Sequence, residues 1–160
     1  MFTSTKRPSL KKCLPVPGLK SASLPAPRRF GKTLTMSMLH AFFDISCNSR
    51  QLFEGLAISR NTELCEKWMN QYPTVFITFK EIYGKDYKDA QAQMAACIRD
   101  LLIEYSYLLE SEKVDSSDRE KLALLKKESG TWTDLTRSLS TLCRALKSHW
   151  GKPVILLIDE

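Results

Sequence analysis

The sequence predicts an α/β fold, in which a parallel β-sheet is flanked by helices. Two short apolar runs, at residues 74–79 and 153–160, are bounded by proline and charged residues and are predicted as buried strands. Segments with apolar residues at helical spacing precede the first run and separate it from the second. Strands that alternate with helices are typical of a parallel sheet, because the helix returns the chain to the end where the next strand begins.

Five helices are predicted from the apolar periodicity. The first starts directly after Gly31, and the others are expected at about 62–71, 87–109, 117–129 and 131–150. Ser117 and Glu120 form a capping-box pattern, and Gly151 is placed to end the last helix. The expected apolar stripe of the first helix, residues 32–45, consists of Leu34, Met38, Ala41, Phe42 and Ile45.

The composition narrows the class of protein. Apolar residues make up 43% of the 160 residues and charged residues 26%, as in ordinary globular domains. There is no run of about 20 apolar residues and no apolar segment after the basic start, so we expect no membrane partner and a cytoplasmic location. The five cysteines are widely spaced, which favours reduced thiols over a zinc site.

The net charge of +6 belongs to one end of the chain. Residues 1–32 hold eight of the 24 basic residues and no acid, which leaves 16 basic against 18 acidic residues in the remainder. The body of the chain therefore lacks the basic excess that is typical of nucleic-acid-binding domains. Residues 1–26, rich in basic residues, proline and serine, are predicted to be irregular.

A phosphate-binding loop is the first functional motif. Gly31, Lys32 and Thr33 open the first predicted helix in the order that ends a Walker A loop. Glycine permits a tight turn, the helix N-terminus attracts phosphate, lysine reaches the β- and γ-phosphates and the threonine hydroxyl is a Mg²⁺ ligand. The full pattern has another glycine where Ala26 stands, so this motif alone fits a glycine that enters an ordinary helix equally well.

A strand that ends in two acidic residues is the second motif. Asp159 and Glu160 follow the apolar run of residues 154–158, which is the Walker B pattern. Asp159 is predicted to hold Mg²⁺, and Glu160 is predicted to be the catalytic base that polarises the attacking water. The Walker A pattern comes before the Walker B pattern, as in nucleotide-binding proteins. The first opens a predicted helix and the second ends a predicted strand, so together they predict a nucleotide site.

The residues around the loop complete the predicted site. Two arginines flank it, with phosphate contact and a solvated surface role as equal alternatives. The predicted metal ligands are Thr33 and Asp159. The predicted cofactor-binding residues are Arg28, Arg29, Phe30, Gly31, Lys32, Thr33 and Leu34.

Residues 27–160 resemble the bacterial and archaeal AAA-ATPase-like proteins. The resemblance lies in residues 27–39, 41–44, 52–58, 72–80 and 151–160. In that family the loop is usually arginine-rich with a degenerate first glycine, which accounts for Ala26. The resemblance implies a P-loop NTPase-type fold with an additional strand, ATP and Mg²⁺ as ligands and, in the complete protein, ATP hydrolysis.

The same resemblance implies that the chain is an N-terminal fragment. Members of the family continue beyond the Asp-Glu pair with the rest of the ATPase domain, and often with a nuclease-like domain through which nucleic acid becomes a partner. We therefore expect a sheet truncated after the Walker B strand and a fragment that hydrolyses ATP weakly or not at all.

Residues 1–26 depart from the family, whose members open with Tyr-Val-Asp-Lys and an apolar strand that enters the loop. A shifted reading frame can encode such an opening from residues 2–7 and an apolar strand from residues 20–27. We therefore predict that this segment is out of frame and that the first strand is missing. The alternative is a genuine basic tail or a transit-like peptide.

Two other functions compete with that of an ATPase. A small-molecule or nucleoside kinase uses the same loop, but the arginine-rich lid that would favour it is not evident in residues 87–150. A non-enzymatic module is the third hypothesis, in which the basic tail binds nucleic acid or directs targeting. Salt-dependent DNA binding would distinguish it.

Overall fold

The computed structural model describes residues 31–127 and 129–159. Predictions that concern residues 1–26, Arg28, Arg29, Phe30 and Glu160 therefore lie outside the described residues. In chain order the elements of the described part are α1 (Lys32–Phe43), α2 (Arg50–Phe53), α3 (Thr62–Trp68), β1 (Thr74–Thr78), α4 (Tyr87–Glu104), a 3-10 helix (Ser106–Glu110), α5 (Ser116–Lys126), α6 (Trp132–Thr136), α7 (Ser138–Trp150) and β2 (Ile155–Asp159).

The two strands form a parallel pair, so the α/β class predicted from the sequence is confirmed. Thr74 pairs with Ile155 at one end and Thr78 pairs with Asp159 at the other. The ladder continues one residue further, where the amide of Phe79 donates to the Asp159 carbonyl at 3.0 Å. The carboxyl ends of β1 and β2 therefore lie side by side, and side chains that follow one strand can reach the other.

Helix α1 covers one face of the strand pair. Its buried side chains Leu39, Phe42 and Phe43 form a cluster, and Ile155 and Leu157 of β2 pack against it. Each fully buried apolar side chain of this size contributes about 1.5–3 kcal/mol relative to an exposed one. This packing fixes the start of α1 relative to the carboxyl end of β2.

The opposite face is covered by α4, α5 and α7. Val75 and Ile77 of β1 lie in a second cluster with apolar residues of these helices. The strand β2 is less well covered than the sequence predicts, because Leu156 and Ile158 remain 37% and 40% exposed. The expectation that this strand is buried is therefore wrong for the face that carries Leu156 and Ile158.

The apolar stripe predicted for α1 is only partly correct. Leu34 is 62% exposed, and the buried face consists of Leu39, Phe42 and Phe43. The first turn of the helix stands at the carboxyl edge of the strands, where no described layer covers it, and only the later turns lie over the strands.

Two long predicted helices are each divided in the structure. The helix expected over 87–109 ends at Glu104, because Tyr105 leaves helical geometry and its hydroxyl donates to the Thr74 carbonyl at 3.0 Å. The segment 131–150 divides at Arg137 into α6 and α7, and the predicted stop at Gly151, with φ of 67°, is confirmed.

The capping box predicted at Ser117 is wrong. The carboxylate of Asp115 caps α5 by accepting from the amide of Ser117. A reciprocal capping box is present instead at α6, between Thr131 and Asp134. A single N-cap side chain and a capping box both satisfy amides at the start of a helix. At α5 the carboxylate of Asp115 is charged and is therefore a stronger acceptor than the hydroxyl of Ser117.

No helix in the described part of the chain combines the length and apolarity that crossing a membrane requires. The described cysteines, Cys47, Cys65, Cys97 and Cys143, are free thiols.

Candidate functional site

The N-terminus of α1 has features that favour an anion. Gly31 is its N-cap residue, in the left-handed region with φ of 74° and ψ of 28°. Apart from its chain neighbours and the backbone of its own helix, no atom of the described residues lies within 4 Å of the position that a Cβ would take there, so backbone conformation rather than space favours glycine. Among the described residues, no side chain caps this helix and its first turn contains no acid, so its positive dipole end is not compensated.

Three side chains from three elements meet beside this helix end. Lys80, two residues after the end of β1, donates from Nζ to the hydroxyl of Thr33 in α1. The same ammonium lies 2.7 Å from Oδ2 of Asp159, the last residue of β2. The Thr33 hydroxyl also acts on the Asp159 carboxylate, and the Lys80 ammonium joins the two groups.

Asp159 is a buried carboxylate that stays ionised. Its side chain is 3% exposed, and this burial raises its pKa. The hydrogen bonds from Lys80 and Thr33, with the charges of Lys80 and Lys32, outweigh burial and hold the pKa of Asp159 below its usual range. The cluster therefore presents a carboxylate and a hydroxyl oxygen at neutral pH.

The structure brings together some of the residues predicted for the site. Thr33 and Asp159 converge on one point, and Lys32 lies close enough for its charge to act on Asp159. Gly31 begins the helix, as the loop pattern requires. The side chain of Leu34 points largely to solvent and is not part of the cluster. Arg28, Arg29, Phe30 and Glu160 lie outside the described residues.

Lys80 is the site residue that the sequence motifs do not reveal. It belongs to neither the Walker A nor the Walker B pattern and follows an apolar strand as an ordinary charged residue. Its position could have been inferred from the parallel pairing, because ligands of open α/β sheets lie outside the carboxyl ends of the strands.

The donor set of the cluster fits a small divalent cation. A hydroxyl and a carboxylate are the hard oxygen ligands that Mg²⁺ prefers, and both already surround one positive charge. The helix N-terminus and Lys32 provide positive groups for an anion next to that cation.

The fold and the site together define an α/β protein with a helix N-terminus that no described side chain caps and a buried carboxylate, both at one edge of a parallel strand pair. The chain belongs to the AAA-ATPase-like family, described as predicted AAA-ATPases, whose model matches residues 19–160. This confirms the resemblance seen in the sequence, and the match starts upstream of residue 27. No curated protein and no solved structure matches the chain.

Proposed function

We propose that this chain binds ATP together with Mg²⁺ at the carboxyl edge of β1 and β2, as part of a P-loop NTPase fold. Membership of a family described as predicted ATPases supports an ATPase-like function in general. The observation that carries the finer proposal is the convergence of Thr33 and Asp159 on a single cation, the Lys80 ammonium. Two residues 126 positions apart in the sequence meet there, each from its own motif.

The roles of the described residues follow from their positions. The amides of the first turn of α1, which includes Leu34, would donate to phosphate oxygens, and Lys32 would neutralise phosphate charge. Thr33 and Asp159 would hold Mg²⁺, which when bound supplies positive charge to the phosphates and orients them. Burial of Asp159 strengthens this interaction, because water screens it little.

The roles of the remaining site residues are proposed from the sequence motifs alone. Glu160 follows Asp159 directly and is proposed as the base that polarises the attacking water. Arg28, Arg29 and Phe30 precede the loop and are proposed to contact the nucleotide. Hydrolysis of ATP, and a nucleic-acid partner acting through a nuclease-like domain, are proposals of the same kind. The family description favours an ATPase over a kinase that uses the same loop.

The dependence of ATP binding on Mg²⁺ tests this proposal. We expect Mg²⁺ to tighten ATP binding by the 160-residue chain, and we expect Thr33→Ala and Asp159→Asn to remove most of that tightening, about tenfold or more. Titration with a fluorescent ATP analogue, with Mg²⁺ and with EDTA, measures the effect.

Matched variants separate loss of the site from loss of the fold. Asp118→Asn changes another buried carboxylate that is paired with a basic side chain, Arg144, and should keep the Mg²⁺ effect. Thr33→Ser retains the hydroxyl and should also keep it. An undiminished Mg²⁺ effect in Asp159→Asn would contradict the proposed site.

A further inference from the structure

The Lys80 ammonium lies at the point where the two oxygen donors of the site meet. It contacts the Thr33 hydroxyl and lies 2.7 Å from Asp159 Oδ2. These are the same two side chains that the proposed function assigns to Mg²⁺. Without a bound metal, the Lys80 ammonium therefore compensates the negative charge of Asp159.

The two partners of this ion pair differ in exposure. The Asp159 side chain is 3% exposed and is fixed at the end of β2, whereas that of Lys80 is 39% exposed. A buried carboxylate without a counter-cation is strongly destabilising, so Asp159 requires a positive partner at all times. A lysine on a flexible four-carbon stem can leave for solvent, and the carboxylate cannot.

Lys80 and a divalent metal compete for the same oxygens. An ammonium and a metal ion on one carboxylate oxygen would be a few ångströms apart, where like charges repel strongly near a buried site. Lys32 is not equivalent, because it acts on Asp159 through charge alone and makes no hydrogen bond to it.

We propose, on the basis of the proposed function, that Lys80 is a resident cation that occupies the metal position in the nucleotide-free protein and is displaced when a divalent metal binds. This arrangement keeps Asp159 compensated in both states. It also lowers the affinity for free metal, so that metal enters favourably only together with the nucleotide phosphates.

Binding of Mn²⁺ in the absence of nucleotide tests the proposal. Mn²⁺ is a spectroscopic probe for such sites, and its free concentration is measured by electron paramagnetic resonance. Because Lys80→Met removes the competing cation and keeps the apolar stem, we expect it to bind Mn²⁺ about tenfold more tightly than the original chain. Lys80→Arg keeps a positive charge and should not gain affinity.

A second control separates displacement from a general charge effect. Lys85→Met removes one positive charge from the same exposed loop, without a side-chain contact to Asp159 among those described, and should leave Mn²⁺ affinity nearly unchanged. Asp159→Asn, alone or combined with Lys80→Met, should abolish the tight Mn²⁺ site.

Thermal unfolding detects Mn²⁺ binding even where the affinity is too weak for a complete titration. Lys80→Met leaves Asp159 without its cation, so its Tm should fall, and saturating Mn²⁺ should raise that Tm more than it raises the Tm of the original chain.

The outcomes distinguish the inference from the proposed function. Asp159-dependent Mn²⁺ binding that is no tighter in Lys80→Met than in Lys85→Met would overturn the inference and leave the metal site in place. Absence of Asp159-dependent Mn²⁺ binding in every variant, with and without ATP, would overturn both.

Discussion

Asp118 is a second buried carboxylate whose charge is compensated by a basic side chain. Its two oxygens accept from Nε and Nη2 of Arg144 at 2.7 and 2.6 Å, which joins α5 to α7. The hydrogen bonds from Arg144 hold the pKa of Asp118 below its usual range. No hydroxyl of the described residues donates a hydrogen bond to Asp118, so the geometry describes a structural ion pair.

The Asp118 pair should make stability depend on pH. A carboxylate whose pKa is lowered by folding stabilises the protein above its unfolded pKa of about 4, and this contribution is lost as the pH falls toward the lowered value. We expect Arg144→Met to lower the free energy of unfolding by about 1–2 kcal/mol at pH 7. The difference from the original chain should shrink below about pH 4.

Urea unfolding at pH 7 and near pH 3 measures this difference. Arg50→Met, at an exposed position in α2, is the control for loss of one positive charge. A loss of stability that is equally large at both pH values would show that Arg144 acts through packing rather than through the charge of Asp118.

Single residues of the candidate site differ in how far the sequence reveals them. Thr33 and Asp159 each lie in a local pattern whose chemistry is specific, and the structure places both against the Lys80 ammonium. Lys80 has no such pattern, because its role arises from the pairing of Thr78 with Asp159 across two strands. Which residues of two distant segments meet depends on the register of the strands, and the local sequence around Lys80 does not specify that register.

At the scale of elements, Asn70 joins the end of α3 to the end of α1. Its φ is 55°, a left-handed conformation that non-glycine residues rarely adopt. Its side-chain amide donates to the carbonyls of Ala41 and Asp44 at 3.3 and 2.9 Å, and its oxygen accepts from the amide of Ser49. The chain therefore enters β1 from a junction that is fixed relative to α1.

Two substitutions separate the contributions of Asn70. Asn70→Ala loses the side-chain hydrogen bonds and keeps the backbone strain, whereas Asn70→Gly loses the bonds but relieves the strain. We expect alanine to lower the free energy of unfolding by about 2–3 kcal/mol, and glycine by about 1 kcal/mol less than alanine. Denaturant unfolding of both variants gives the comparison, and a glycine variant no more stable than the alanine variant would contradict this account.

The elements themselves are largely predictable, but their divisions are not. Apolar periodicity continues through Tyr105 and Arg137, so the sequence predicts one helix over 87–109 and one over 131–150. The chain nevertheless leaves helical geometry at both residues. At Tyr105 the competing interaction is a hydrogen bond to the Thr74 carbonyl, which is 31 residues away in sequence. Tertiary contacts of this kind override local helix propensity.

At the scale of the whole molecule, the strand pair lies between two apolar clusters, and the candidate site lies at its carboxyl edge. The sequence predicts the α/β class, because both strands are short, apolar and separated by helices. It does not predict that Leu156 and Ile158 remain partly exposed, because an apolar strand has the same pattern whether or not another layer covers it.

ATP binding by Lys32→Ala is the most direct test of the central claim, that the N-terminus of α1 is a phosphate site. Removal of one charge-assisted phosphate contact should lower the affinity for Mg·ATP by about 1.5–3 kcal/mol, which is about tenfold or more. Isothermal titration of the original chain and the variant measures this, with Lys113→Ala, at an exposed lysine between the 3-10 helix and α5, as the control. The account predicts a loss of affinity in Lys32→Ala alone, and an unchanged affinity in that variant would contradict it.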